Sequence, residues 1–215
     1  MDLEAYEKLD PDIQLFVQRK ALPDWQIEKK QIDFHDLTFI VGGKSDYFVN
    51  GEKFTVEKGD IIYIPVGSVR EAHTFSESLM HSYAFNFFWT RDNPISLPFK
   101  TVTKNKITDD MLRNLEELAH IWMWKPPFYK IKARAILLCL IYQIFNLYYR
   151  GSHTYMDPRM KKVTEYISNH YSESISIDTL AEITNLHPAY FGQLFKQNTG
   201  TTYKEYLNRI RVNNA

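Results

Sequence analysis

The chain has 215 residues, 44% of them hydrophobic and 24% charged, with 26 Lys and Arg set against 26 Asp and Glu. That length allows one domain or two, the composition is that of an ordinary soluble globular protein, and the zero net charge gives no sign of a polyanionic partner. Cys139 is the only cysteine, which excludes an internal disulfide and fits a reducing cytoplasm.

The opening Met1-Asp-Leu-Glu-Ala-Tyr-Glu-Lys8 is acidic and lacks a basic start followed by an apolar core, so it does not read as a signal peptide. From about Trp25 to Trp89 the pattern is β. Asn50-Gly51 separates two strand-like runs and suits a type I′ turn, where both central residues need positive φ. Glu57-Lys-Gly-Asp60 marks a second turn. Ile61 to Val66 reads as a short strand apolar on both sides, with Pro65 at its end. In the next strand His81, Tyr83, Phe85, Phe87 and Trp89 share one face, and Ser82, Ala84, Asn86 and Phe88 the other. Many short strands with regular turns predict a small barrel or jelly roll over residues 1–107.

At Thr108 the period becomes helical. Met111, Leu112, Leu115, Leu118, Ala119 and Trp122 recur at helical spacing behind Thr108 as N-cap. Lys125-Pro-Pro-Phe128 must interrupt the helix. A second helix, about Tyr129 to Tyr149, is apolar over much of its circumference, more than one core-facing stripe requires. Residues 108–150 are expected to be a helical pair that packs on the barrel, forms a dimer, or does both. The longest uninterrupted apolar run, Ala135 to Tyr142, is too short to span a bilayer, so no membrane segment is expected. Residues 151–158 have linker composition and end in Pro158.

The last segment, 159–215, reads as helix, helix, tight turn, helix. Ser176 is an N-cap, Asn185 sits at the turn where a left-handed backbone is needed, and His187-Pro188 opens the next helix. Phe191, Leu194 and Phe195 form its buried stripe. Ala189, Tyr190, Gly192, Gln193 and Lys196 are left on its outer faces. Gly200 ends it, and Thr202-Tyr-Lys-Glu205 is a capping box for a final helix. Two short helices joined by a tight turn are the layout of a DNA-reading helix-turn-helix. The charge is weak support: from Asp157 onward there are seven basic residues against six acidic ones.

At Leu180-Ala181, Tyr190-Phe191, Leu194-Phe195-Lys196, Gly200, Tyr206-Leu207 and Arg211-Val212 the chain resembles the AraC family of bacterial transcription regulators. Val56-Glu-Lys-Gly-Asp-Ile-Ile-Tyr-Ile-Pro-Val-Gly67 is similar to a stretch of that family's cupin-like sensor domain. The resemblance implies an α+β protein. A cupin-like sensing barrel would be followed by the helical pair, the linker and an all-α helix-turn-helix module. It also implies a second helix-turn-helix unit joined by a long helix. The chain stops at Ala215, partway along that helix, so it is expected to be a fragment rather than a natural short form.

The family's role implies a cytoplasmic, dimeric transcription regulator. It would bind double-stranded promoter or operator DNA, answer to a small effector (a sugar or related carbon source) and recruit RNA polymerase as an activator. Gln193 is the candidate for pairing with adenine, and Ala189 for touching a thymine methyl. Tyr190, Lys196, Thr201 and Thr202 are candidates for phosphate contacts. His187 is a cap first and a base reader second. Gly192 falls where the family often places a base-reaching side chain.

In the barrel, His35, Tyr63, Arg70, His73, His81, Tyr83 and Trp89 are the candidate ligand contacts. Arg70 is positioned to clamp a carboxylate or sugar hydroxyls. No His-x-His pair, Gly-rich phosphate loop or nucleophile elbow is visible, so no metal, cofactor or enzymatic activity is expected. Two rival readings stay open: a metal-dependent cupin enzyme fused to a helix-turn-helix, and a protein-interaction module that no longer touches DNA.

Overall fold

A computed structural model describes residues 4–90, 95–149 and 157–214. It divides into two compact units, Met1–Leu147 and Tyr148–Ala215. Of the linker read at 151–158, only Asp157 and Pro158 fall within the described residues.

Among its described residues the first unit holds nine strands: β1 (Pro11–Lys20), β2 (Gln26–Gln31), β3 (His35–Gly42), β4 (Lys44–Val49), β5 (Glu52–Glu57), β6 (Ile61–Ile64), β7 (Val69–Thr74), β8 (His81–Trp89) and β9 (Val102–Thr103). They form two antiparallel sheets, β1-β8-β3-β6-β9 and β2-β7-β4-β5. The two sheets share one apolar core, as in a small β-barrel. The β4–β5 hairpin closes at Asn50 (φ 52°) and Gly51 (φ 86°), with Val49 paired to Glu52, because two left-handed residues match the twist of the flanking strands.

The turn before β6 is held by Asp60, which is 1% exposed. Its carboxylate accepts from the Glu57 and Asn105 backbone N–H groups (2.9 Å each) and pairs with Lys104 Nζ (2.8 Å). Gly59 has φ 99°, and a Cβ there would sit 2.7 Å from Asn105 Oδ1, so the turn needs glycine for backbone and space alike.

The five-stranded sheet carries buried residues on both faces. Facing the other sheet, Ile40, Ile62 and Ile64 pack with Tyr47, Val49, Val56 and Ala72. On the opposite face, Leu37, Phe39, Ile61, Tyr63, Tyr83, Phe85 and Phe87 are buried as well. That second face lies against two helices, α1 (Asp109–Trp124) and α2 (Tyr129–Tyr149). Ring contacts join Phe16 to Trp122 (6.1 Å) and Phe99 to Phe145 (5.0 Å).

Helix α1 starts at Thr108, whose hydroxyl accepts from Met111 N–H (3.3 Å). It ends at Lys125 in a left-handed conformation just before the two prolines. Helix α2 is apolar well beyond its longest uninterrupted run. Its Tyr129–Tyr148 stretch is long and apolar enough to cross a membrane by length and composition, with a mean hydropathy of 1.3 that polar interruptions do not abolish. Within it Ala133, Ile136, Leu137, Leu140, Ile141 and Ile144 are buried in this unit.

The described residues of the second unit form four helices, α3 (Pro158–His170), α4 (Ile177–Thr184), α5 (Pro188–Thr199) and α6 (Tyr203–Asn213). Met160, Val163, Ile167, Leu180, Ala181, Phe191, Phe195 and Leu207 make one core. Met160, Val163 and Ile167 of α3 and Phe191 and Phe195 of α5 recur every three or four residues, which places one stripe of each of these helices inward.

Candidate nucleic-acid interface and barrel cavity

Local chemistry sets the angle between α4 and α5. Ser176 caps α4 by accepting from Thr179 N–H (3.1 Å). At the other end Asn185 is left-handed (φ 52°, ψ 41°), which stops the helix. The Leu186 N–H then donates to Ala181 O (3.0 Å), and the Leu186 side chain packs against the core. His187 caps α5, its Nδ1 accepting from Ala189 N–H (3.3 Å), and Pro188 fills the first turn where its missing N–H costs nothing. Arg211 ties α6 to the far end of α3, donating to Tyr171 O (2.7 Å) and Glu173 O (2.8 Å).

With Phe191 and Phe195 at 0% exposure, α5 is anchored on one side. Ala189, Tyr190, Gln193 and Lys196 are exposed on the other. Each residue turns the helix by ~100°, so these four occupy one continuous strip. Gln197, exposed and four residues after Gln193, belongs to the same strip and was missed from sequence, although the i, i+4 relation points to it.

Three expectations change. Thr201 Oγ1 is buried with no hydrogen-bond partner among the described residues, so it does not face outward for a phosphate. The Thr202 hydroxyl is engaged in the capping box with Glu205 (2.9 Å to Oε2, 3.3 Å from Glu205 N–H), so its work is to start α6. Gly192 is not in the middle of the strip: a Cβ on it would lie 3.6 Å from Ile177 Cδ1 of α4.

The barrel candidates fare differently. Only Arg70 of the seven lines the space between the sheets. His35, Tyr63, His81, Tyr83 and Trp89 stand on the helix-covered face of the first sheet. There they stack among themselves and with Phe16 and Phe87. His35 is 3% exposed and its Nδ1 lies 2.9 Å from the Tyr63 hydroxyl, which also accepts from Leu97 N–H (3.0 Å). Burial pushes the His35 imidazole down to about 4 and the Tyr63 phenol up to about 12, so both are neutral packing groups at pH 7. His73 is exposed on the outside of β7, 3.6 Å from Asp46.

The true lining comes from the other strand phase. A cavity of about 320 Å³ is bounded by Leu15, Val17 and Arg19 of β1, Ser82, Ala84 and Asn86 of β8, and Asp36 and Thr38 of β3. Trp25, Gln26, Ile27, Tyr47 and Arg70 complete it. The register explains the grouping: Arg19 pairs with Ser82, Val17 with Ala84, and Leu15 with Asn86, which pairs in turn with Asp36. A bulge between Ile13 and Leu15 shifts the phase of β1, so its second half turns Arg19 inward while Phe16 goes to the helices.

Asp36, 2% exposed, is ion-paired with Arg70 and accepts from Thr38 Oγ1 (2.8 Å). A neighbouring cleft of about 530 Å³ shares Ile27, Arg70 and Asn86 with this cavity. The signal for this site was present in the strand: Ser82 and Asn86 are polar residues on one face of a strand whose other face is aromatic. No group of three or more His, Cys, Asp or Glu that could hold a metal occurs among the described residues.

The model for bacterial regulatory helix-turn-helix proteins of the AraC family matches residues 167–208, from within α3 into α6. The HTH-type transcriptional activator RhaS of Salmonella paratyphi A is 21% identical over 204 residues, covering 89% of this chain and 73% of that protein. The uncharacterized HTH-type transcriptional regulator YobQ of Bacillus subtilis is 40% identical over 50 residues, 23% of this chain and 21% of that protein.

Among solved structures, apo ToxT from Vibrio cholerae overlaps 93% of both chains at a TM-score of 0.37 and 10% identity. The cupin domain of Schizosaccharomyces pombe Cnp3 overlaps 36% of this chain and 74% of its own at a TM-score of 0.30 and 15% identity. The family match spans the capped α4–turn–α5 geometry, so residues 167–208 form a helix-turn-helix domain of the AraC type.

Proposed function

We propose that this DNA-binding transcription regulator reads its operator with the exposed strip of α5 and takes a small-molecule effector in the barrel cavity. The observation that carries the first half is the strip itself. Ala189, Gln193 and Lys196 stand on a helix whose opposite side is locked by Phe191 and Phe195. Gln193 pairs with an adenine edge, Ala189 meets a thymine methyl, and Tyr190 and Lys196 hold phosphates. His187 lies at the helix start, where its primary work is the cap.

The second half is supported by a cavity of ligand size that mixes apolar walls with a few convergent polar groups. A sugar or related carbon source is the effector class. Its binding favours one arrangement of the regulator through differential affinity for two states. We assign the cytoplasm as its location, a homodimer as its working form and recruitment of RNA polymerase as its output. The α1–α2 turn supports the dimer: Trp124, Phe128 and Ile131 are 78%, 79% and 69% exposed, an unusual concentration of apolar surface.

Selection of sites from a randomised duplex pool, then anisotropy titration of the selected duplex, tests the reading. Gln193→Ala should lose ~5- to 100-fold discrimination at one base pair and leave the others intact. Binding should weaken steeply as salt rises. An unchanged ranking of all duplex variants would remove Gln193 from base reading. A flat salt response would remove DNA contact altogether.

A further inference from the structure

The barrel cavity holds more positive than negative charge. Its lining contains three ionised side chains, Arg19, Arg70 and Asp36. Asp36 is already spent on Arg70. Arg19 makes no ion pair among the described residues; its guanidinium lies 5.3 Å from the centroid of the Trp25 ring, a contact that positions it without neutralising it. The two guanidiniums also feel each other. Burial first, and the charge of Arg19 second, hold Arg70 down to about 10. At the adjoining cleft Lys29 and Lys30 are balanced by Glu28 and Asp33, so the surplus belongs to the cavity.

We propose that the barrel takes a small hydroxylated monocarboxylate, its carboxylate held by Arg19 and Arg70, rather than a neutral sugar. This rests on the effector reading above and narrows it. A monoanion cancels the single uncompensated charge, whereas a neutral ligand leaves two guanidiniums repelling each other across a partly enclosed space. A guanidinium fork matches a carboxylate in geometry as well as charge. Ser82, Gln26 and Asn86 line the same space and suit hydroxyl groups; Leu15, Val17 and Trp25 suit a carbon chain.

The test is a thermal-shift and calorimetry panel on the full chain, using matched acids and neutral partners. Gluconate and glucuronate are set against glucose, galacturonate against galactose and lactate against propane-1,2-diol, with inorganic phosphate as a separate arm. At least one acid should raise the melting temperature by roughly 5–10 °C near 100 times its Kd, with its neutral partner inert. Arg19→Gln should weaken that acid by about tenfold or more while leaving the circular dichroism spectrum unchanged.

A neutral partner shifting as far as its acid overturns the charge assignment and leaves a sensor. A shift from phosphate alone overturns the carboxylate. Undiminished affinity in Arg19→Gln overturns the site. No shift from any compound overturns the carboxylate and the effector reading together. DNA binding, titrated on the same samples, separates all of these from a failure of the α5 reading.

Discussion

The helical unit and the barrel expose their working surfaces in opposite ways. On α5 the candidate interface is what remains after the core has taken its share: Phe191 and Phe195 point in, so Ala189, Tyr190, Gln193 and Lys196 point out. In the barrel that rule fails, because both faces of the five-stranded sheet carry buried residues. One face supports helices and the other lines a cavity, and the aromatic face is the one that packs. A site on a covered sheet is thus marked by buried polarity, as at Asp36 and Arg70, and not by large aromatic rings.

The strongest way to break this contrast is at the anchor of α5. Phe191→Ala should cost the helical unit about 3–5 kcal/mol, because a fully buried ring leaves a cavity. Loss of helical circular dichroism on mild heating, with the barrel's own transition unmoved, is the expected outcome. A barrel that melts with it would mean the two units share their stability.

A second test separates packing from binding on the helix-covered face. Unfolded His35 titrates near 6.5 and folded His35 near 4. The folded state therefore keeps full stability above pH 6.5. It loses stability as the pH falls toward 4, because only the unfolded imidazole takes the proton. The loss should be on the order of 2–3 kcal/mol. Urea midpoints of the barrel transition at pH 7, 5 and 4 should fall in the native protein and fall less in His35→Phe. Equal slopes would show His35 accepting a proton while folded, in contact with water or ligand.

The smallest effect sharpens the edge of the α5 strip. Gly192 has an ordinary helical backbone and open contact distance to Ile177, so Gly192→Ala should stabilise the helical unit by about 0.5–1 kcal/mol. DNA affinity should hold. A clear loss of affinity would mean that DNA approaches this flank too closely for a methyl group.

Much was readable without coordinates because it depended on local chemistry. The Asn50-Gly51 hairpin, the caps at Thr108, Ser176 and His187, the left-handed Asn185 and the Thr202–Glu205 box each need only neighbours within a few residues. Helical periodicity also gave the outer face of α5, since a helix with one buried stripe has only one side left. Thr201 escaped because its hydroxyl is directed inward by the turn before α6, which no spacing rule encodes.

The barrel site needed the tertiary structure. Alternation along β8 divided its residues into two sets, but both sets are covered, so period alone could not say which faces the cavity. In β1 the bulge after Ile13 changed the phase and brought Arg19 beside Ser82, and pairing across the sheet set Asp36 next to Asn86. Sequence by itself determined the two kinds of unit and the exposed side of α5, because those follow from contacts along the chain. The charge inside the barrel was decided only by strand register and sheet packing, because they join residues far apart in sequence whose positions no local preference can specify.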